Sequence, residues 1–333
     1  MFSHRHYLPI LKTKSGELWA VANLRQESKT GMIPIFEIHK HKTKGTASHV
    51  SAVAAQLFDV WGNSPLFLDT KWLSSTGNST AIHDTFAAAR ATGLSAIPVV
   101  SHHCDLLALS DIRDVIAQDG RGCMLRLSSA GIATGTLNNV LHYLQINPAV
   151  VDLLIDYQRN AMDLQVTVPA IPYLNDWRTF AAASGSFPSS LASFPLNAWH
   201  QIPRFDWQSW ESDVINGALQ RRPAFSDYVI RDPGKPAEFG SPSACIRYTR
   251  TAHWMVRSGR KLKDGFATDI HQICADLVNS GHFDGPAFSE GDRIINEVAT
   301  QGLGSGGAKE WVQWAMNHHL AFVLNQLQSH AGL

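Results

Sequence analysis

The sequence predicts an α/β fold: a (β/α)8 barrel of the TIM type, extended at its carboxyl-terminal end by a β-hairpin and helices. Three observations lead to this prediction. Short apolar segments recur along the chain, stretches with helical periodicity separate most of them, and most apolar segments end at a single polar or charged residue. Apolar runs that alternate with amphipathic helices are typical of a parallel sheet buried on both faces. The length of 333 residues suits one such barrel with additions.

Eight apolar segments are the predicted barrel strands. They cover residues 7–12, 33–37, 65–69, 96–101, 123–126, 151–156, 180–184 and 225–230. Apolar residues at i, i+3 and i+4 predict helices between the strands. These helices cover residues 15–25, 47–61, 81–92, 106–118, 136–144 and 206–219. Strand and helix together recur about every 30 residues, which is the length that successive βα units need.

The pattern is less regular in the second half of the chain. Residues 187–205 are rich in Ser, Pro and aromatic side chains and predict a long ordered loop over one face of the barrel. The Pro and Gly residues within 231–243 mark a predicted boundary, with the barrel over residues 1–240 and a carboxyl-terminal part over 241–333 packed on it. In that part we expect a hairpin and three helices. They cover residues 244–249 and 252–256, and then 266–279, 290–301 and 308–328.

A second strand assignment fits the same fold class. The barrel would then begin at Ile33 and take residues 245–248 as its eighth strand. This alternative moves Lys12 away from the barrel mouth and brings Arg247 to it. The sequence is compatible with both assignments.

The overall charge does not favour binding to nucleic acid or to an anionic membrane. Lys plus Arg and Asp plus Glu number 28 each, so no field of the whole protein attracts a polyanion. A nucleic-acid partner would need a local patch, and Lys40, Lys42 and Lys44 with neighbouring histidines offer one. The favoured interpretation of this patch is a solvated loop.

Cysteine spacing and hydropathy indicate in which cellular compartment the protein is expected. Cys104, Cys123, Cys245 and Cys274 lie far apart, which argues against a zinc ribbon and against a disulfide scaffold. No apolar stretch approaches the roughly 20 residues needed to span a bilayer, and the first residues lack a secretory apolar region. We therefore expect a reduced, cytoplasmic protein without a membrane partner.

Charged residues end most of the predicted strands. They are Lys12, Glu37, Asp69, Arg126, Asp156 and Asp227. In a barrel the carboxyl ends of all strands meet at one mouth, and a buried unpaired charge costs several kcal/mol. The three acidic residues Glu37, Asp69 and Asp156 would supply oxygen ligands for Mg²⁺ or another divalent cation, and Lys12 and Arg126 would neutralise a phosphate. The alternative is a salt-bridge network that closes the mouth, with Arg126 paired to Asp69 or Asp156.

Histidines supply further candidates. One of His102 and His103, directly after the fourth strand, could act as a general acid or base or could cap the next helix. Glu37 and His39 point the same way on a strand and form a weak candidate ligand pair. Adjacent residues on a helix point about 100° apart, so at most one of His318 and His319 is expected to face inward.

Two short segments, a small-residue turn and a helix start, are further candidates. The turn at 184–188 could hold an anion with its amides, or Gly185 could simply allow a tight bend. The segment 288–292 reads as a helix start with Ser289 as its N-cap.

Seven segments carry a resemblance to a known family. They cover residues 7–17, 33–38, 183–188, 226–228, 246–249, 288–292 and 314–320. These segments, which span nearly the whole chain, resemble the phage-type "beta protein" family. The resemblance implies occurrence in phages and bacteria, sometimes near defence genes, and it implies no catalytic residues. Because residues 317–319 match the family pattern, His318 joins the predicted site.

The leading functional prediction is a barrel enzyme that binds an anionic, phosphate-bearing substrate, such as a nucleotide or a nucleic-acid end. A divalent metal and cationic side chains together would stabilise the charge that develops in phosphoester hydrolysis. The predicted catalytic residues are Lys12, Glu37, Asp69, Arg126, Asp156, Asp227 and His318. One alternative is a non-catalytic protein of phage–host conflict that sequesters a ligand or holds a partner. Another is lyase or isomerase chemistry with Lys12 as base or Schiff-base former.

Overall fold

The structure, a computed structural model, is a closed barrel of eight parallel strands with helices between them. It describes residues 2–41, 44–74, 80–101, 104–132, 134–234, 243–261, 266–302 and 304–330. The barrel strands are β1 (Tyr7–Lys12), β2 (Ile35–Glu37), β3 (Leu66–Asp69), β4 (Ala96–Ser101), β5 (Cys123–Ser128), β6 (Val151–Asp156), β7 (Thr179–Ser184) and β9 (Ala224–Asp227). The predicted fold class is confirmed.

Strand β1 closes the barrel by pairing with β2 on one side and β9 on the other. The alternative assignment, in which the barrel begins at Ile33, is therefore wrong. Its proposed eighth strand, residues 245–248, pairs antiparallel in a separate sheet. Lys12 consequently ends a barrel strand, as the first assignment predicted.

Helices fill the connections between the strands. They are α1 (Ser15–Ala22), α2 (Gln26–Lys29), α3 (Thr46–Trp61), α4 (Lys71–Ser74), α5 (Ala81–Thr92), α6 (Leu106–Asp119), α7 (Thr134–Leu144), α8 (Leu164–Ala170) and α9 (Phe205–Glu211). The predicted α3, α5 and α6 agree to within one residue at either end. The sequence did not predict α2, α4 and α8, because four to seven residues are too few to establish a helical period.

Side chains alternate between two apolar layers along each barrel strand. Leu8 and Ile10 of β1 belong to the cluster inside the barrel, whereas Tyr7 and Leu11 pack in the layer between the strands and the helices. This two-residue period decides which strand-end charges enter the barrel. It directs residue 12 inward together with residues 8 and 10.

A three-stranded antiparallel sheet lies beside the barrel. Its strands are β8 (His200–Pro203), β10 (Ser243–Thr249) and β11 (His253–Lys261), in the order β10-β11-β8. The predicted hairpin is confirmed as β10 and β11. The third strand lies within the predicted loop 187–205 and is only four residues long. The sheet thus takes strands from both sides of the predicted boundary at residue 240.

The last three helices are α10 (Phe266–Val278), α11 (Glu290–Gln301) and α12 (Ala308–Ser329). Helix α12 contacts α1 and β1 of the barrel and also β10 and α11. Because it is enclosed on opposite sides, both His318 and His319 are completely buried. The expectation that at most one of them faces inward is wrong. The predicted cap is confirmed, since the Ser289 hydroxyl accepts a hydrogen bond from the Asp292 amide at 3.1 Å.

Within the described part of the chain, no helix is both long and apolar enough to cross a membrane.

Candidate functional site

Arg126 of β5 lies at the centre of a buried charge network at the barrel mouth. Its Nη1 donates to Glu37 Oε1 at 2.9 Å and to Asp69 Oδ2 at 2.7 Å. Its Nε donates to Asp156 Oδ2, also at 2.9 Å. The structure therefore brings together four of the strand-end residues that the sequence singled out. All four side chains are no more than 4% exposed, so their charges have little access to water.

A second cation supports the acidic side of this network. Lys71, two residues beyond the end of β3, forms an ion pair with Glu37 through Oε1, and the indole nitrogen of Trp72 donates to Oε2 at 3.2 Å. Burial by itself would raise the pKa of Glu37. The positive charges of Arg126 and Lys71 outweigh that effect, and the pKa falls to about 2. Glu37 is accordingly an ionised carboxylate at neutral pH.

Tyr228 completes the network directly after β9. Its hydroxyl accepts a hydrogen bond from Arg126 Nη2 and donates one to Asp156 Oδ2, each 2.6 Å long. Burial raises the pKa of Tyr228 well above its ordinary value, with the nearby Asp156 adding to the shift. The phenol therefore remains a neutral hydrogen-bond donor.

The three carboxylates do not fit the predicted divalent cation in this arrangement. Each of Glu37, Asp69 and Asp156 already accepts a hydrogen bond from Arg126, and a guanidinium carries the charge that a metal would bring. Among the residues described by the structure, no group of three His, Cys, Asp or Glu side chains has an arrangement that could hold a metal ion. The alternative salt-bridge interpretation of the strand ends matches this geometry.

A cavity of about 400 Å³ opens at the mouth, and cationic side chains dominate its lining. The charged lining residues are Lys12, Arg159, Arg231, Asp232 and Arg247. The loop 187–190 forms another part of the wall, so the predicted ordered loop does lie over this face of the barrel.

The cations of the cavity differ in how far they are neutralised. Arg159 donates to Asp232, with Nε 2.6 Å from Oδ2, and Arg231 Nε lies 2.9 Å from the buried Glu17. Arg247 stacks on the ring of Phe187 and donates to the carbonyl of Ile230. It forms no ion pair with any carboxylate in the described ranges, so its charge is available to a ligand.

Lys12 lies between the cationic cavity and the buried network. Its ammonium group lies 3.4 Å from the carbonyl oxygen of Gly234, and the side chain is only 6% exposed. Burial lowers the pKa of Lys12 to about 8; the charge of Glu37 opposes this shift and that of Arg231 adds to it.

Asp227 occupies a different environment from the other strand-end residues. It points out of the barrel, where it accepts hydrogen bonds from the Tyr7 hydroxyl and the Val229 amide, and His319 Nε2 lies 2.9 Å from its Oδ2. Burial alone would raise the pKa of Asp227, but a positive charge on His319 and the hydrogen bonds from His319 and Tyr7 lower it. Burial in turn lowers the pKa of His319, against the effect of Asp227. Asp227 therefore links the barrel to α12 and does not line the mouth.

His318 is also remote from the mouth. Its Nδ1 lies 2.9 Å from Asp292 Oδ2 on α11, its Nε2 lies 3.0 Å from the carbonyl oxygen of Thr249, and its ring stacks on Tyr248. All of these groups are buried, so His318 holds α12 to the small sheet and to α11.

The remaining candidates have local explanations. His39 places its Nε2 3.9 Å from Glu37 Oε2, and its ring stacks on Trp72. Burial lowers the pKa of His39 to about 4. The amide of Gly185 donates to the carbonyl of Gln158, so it is already engaged and cannot hold an anion without losing this bond.

Other predicted features fall partly outside the described residues. His102 and His103 both lie there, and so does Lys42 of the basic patch. The flanking Lys40 and Lys44 are exposed, as the interpretation of a solvated loop requires.

Sequence reasoning missed Tyr228, Lys71, Arg159 and Arg231 as members of the site. One of them carried a usable signal. Tyr228 continues the inward series of Ala224 and Ser226, and a strict two-residue period would have selected it. Lys71 begins α4, where the strand period does not apply.

The fold and the charged mouth define a (β/α)8-barrel protein with a candidate ligand site at the carboxyl ends of its strands. A family model described as Beta protein matches residues 7–325, so this chain belongs to that family. The resemblance read from the sequence is thereby confirmed. A comparison with curated proteins found no match.

Proposed function

We propose that this protein is a barrel enzyme whose mouth binds a small, anionic, phosphate-bearing substrate. The cationic cavity above the strand ends carries this proposal. Among the residues that line it, four cations face the single carboxylate of Asp232. Arg159 already pairs with that carboxylate, so the cavity keeps an excess of positive charge.

The size and position of the cavity suit a metabolite rather than a polymer. Its volume of about 400 Å³ lies in the range of small-molecule sites. A second cavity of about 680 Å³ adjoins it and shares Ser190 and Arg247 with it. A nucleotide could therefore place its phosphate near Arg247 and its base in the larger cavity, against side chains such as Phe194 and Trp311.

Arg247 is the side chain best placed to bind the phosphate. It comes from β10, and its guanidinium carbon lies over the Phe187 ring, 4.9 Å from the ring centroid. A guanidinium binds phosphate oxygens through two parallel hydrogen bonds. Lys12 ends β1 and Arg231 follows β9, so a phosphate held by all three side chains would bridge the barrel and the small sheet.

Metal-dependent phosphoester hydrolysis stays a prediction. It would require Arg126 to release at least two of the carboxylates that it now holds. A cytoplasmic location and a part in phage–host conflict are likewise proposals; the first is supported by the free thiols of all four cysteines.

Calorimetry and thermal unfolding test the anion site. The ligands are inorganic phosphate, ribose 5-phosphate and AMP, with ribose and adenosine as uncharged counterparts. We expect the phosphate-bearing ligands to bind and to raise the melting temperature. Added salt should weaken their binding, because it screens the charges. Arg247→Met should lower their affinity by about tenfold, because a charge-assisted hydrogen bond contributes roughly 1.5–3 kcal/mol. Arg293→Met changes an exposed arginine of α11 and should leave binding unchanged.

Two outcomes would count against the proposal. Either none of the phosphate-bearing ligands binds, or Arg247→Met and Arg293→Met bind them equally well. Repeating the titration with Mg²⁺ and with EDTA tests the metal. A Mg²⁺-dependent stabilisation that Asp69→Asn abolishes would favour the metal-dependent reaction.

A further inference from the structure

We propose that Lys12 is the covalent nucleophile of this site, and that its amine forms an imine with the carbonyl group of a phosphate-bearing aldehyde or ketone. This inference rests on the proposed function, since the cationic cavity would hold the phosphate. Lys12 ends β1, its side chain points into the barrel, and it lines the same cavity as Arg231 and Arg247.

Among the residues that the structure describes, the partners of Lys12 are too few to explain a structural role. Arg126, which also lies inside the barrel, donates to three carboxylates and a phenol. Lys12 forms no ion pair within the described parts of the chain, and its hydrogen bond to Gly234 is long at 3.4 Å. A buried ammonium without a carboxylate is costly, and losing its proton relieves that cost.

Burial of Lys12 favours the neutral amine that a nucleophile needs. Burial lowers its pKa to about 8, Arg231 and Lys14 act in the same direction, and Glu37 and Glu17 oppose them. Near neutral pH Lys12 therefore carries a larger fraction of free amine than a lysine with the ordinary pKa.

The chemistry needs no further reactant. The Lys12 nitrogen attacks the carbonyl carbon and forms the C–N bond while the C=O double bond opens. The oxygen then takes one proton from the attacking amine and one from solvent and leaves as water. The positive charge of Arg231 would stabilise the oxyanion that forms before water departs. The resulting protonated imine withdraws electrons from the neighbouring carbon, so this site would suit carbon–carbon bond cleavage or isomerisation next to a carbonyl.

Pyridoxal 5′-phosphate tests the inference because it carries both an aldehyde and a phosphate. The protein is incubated with it at pH 7.5 and reduced with borohydride, and peptide mapping then locates the labelled lysines. We expect Lys12 to be the main site of labelling, with the exposed Lys14 labelled at least tenfold less. Lys12→Arg keeps the positive charge and should abolish the main adduct while phosphate binding persists. Lys14→Arg is the matched control and should not change labelling of Lys12.

Pyridoxal, which lacks the phosphate, separates the two proposals. We expect it to label Lys12 at least tenfold more slowly than pyridoxal 5′-phosphate does. If phosphate-bearing ligands stabilise the protein but only exposed lysines are labelled, Lys12 is not the nucleophile, and the proposal of an anion site is unaffected. Equal labelling of Lys12 by both aldehydes would overturn the anion site, and with it the phosphate-bearing substrate. Labelling of the wild-type protein decides between these outcomes even if Lys12→Arg fails to fold.

Discussion

Replacing Arg126 by Met would test whether the charge network holds the barrel mouth together. The guanidinium is 4% exposed and contacts three carboxylates. Met preserves much of the side-chain length and removes both the charge and the donors. Glu37, Asp69 and Asp156 would then remain buried close to one another, with Lys71 as the nearby cation.

The expected loss of stability can be worked out in two ways. Removing one partner of a buried ion pair typically costs about 3–5 kcal/mol, because the remaining charge is left uncompensated. The pKa of Glu37 is lowered from 4.5 to about 2, and a difference of this size corresponds to about 3 kcal/mol. Part of that second figure belongs to Lys71. We therefore expect Arg126→Met to lower the free energy of unfolding by about 3–5 kcal/mol at pH 7.

The loss should depend on pH in a defined direction. The pKa of Glu37 is lower in the folded protein than in the unfolded chain, so its contribution is complete above about pH 4.5 and is lost as the pH falls toward 2. Without Arg126 the carboxylates would take up protons at a higher pH than in the wild type. The difference between wild type and variant should therefore be largest near pH 7 and should shrink near pH 4.

Urea unfolding followed by tryptophan fluorescence at both pH values measures these differences. Arg293→Met is the control, since Arg293 pairs with Glu290 and Glu297 on the surface of α11. Exposed pairs contribute about 0–1 kcal/mol. The reasoning fails if Arg126→Met is no more destabilising than this control, or if its penalty is the same at both pH values.

Two further substitutions test the contact between α11 and α12 and a close backbone approach just before β5. Burial would lower the pKa of His318, but Asp292 outweighs it and the pKa is raised, so the pair stabilises the fold below about pH 6.5 and loses its effect as the pH rises through the folded value. Asp292→Asn should accordingly lower the melting temperature more at pH 6 than at pH 9, and an equal loss would contradict this. In urea unfolding, Gly122→Ala should lower the free energy of unfolding clearly more than Gly120→Ala does. Both glycines have positive φ, but only at Gly122 would an added Cβ meet another atom, the carbonyl oxygen of Val150 at 1.9 Å; equal losses would refute this steric explanation.

Local patterns predicted most of the fold. Buried strands such as Ala96–Ser101 and helices such as Ala81–Thr92 were found with their observed bounds, because hydrophobic periods of 2 and 3.6 residues are local properties. The short strand His200–Pro203 was missed, because it exists only through its pairing with β11. Its four residues carry no period that distinguishes them from a loop.

The strand-end charges show where such prediction stops. The rule that charges end barrel strands selected Glu37, Asp69, Arg126 and Asp156 correctly as neighbours, since closure brings those ends together. It also selected Asp227, which lies one residue out of phase and faces α12. A step of one residue turns a strand side chain to the opposite face, so the inward phase of each strand had to be known.

The sequence by itself determined the barrel, its extension and the convergence of charges at one end, because strand order and side-chain alternation follow from local patterns. Only the tertiary structure decided that Arg126 occupies the space between the carboxylates, and that Arg159, Arg231 and Arg247 surround a cavity over Lys12. Those arginines come from loops and from the small sheet. Their positions around one cavity depend on contacts between distant segments, which no local period encodes. The lowered pKa of Lys12 depends on the same contacts.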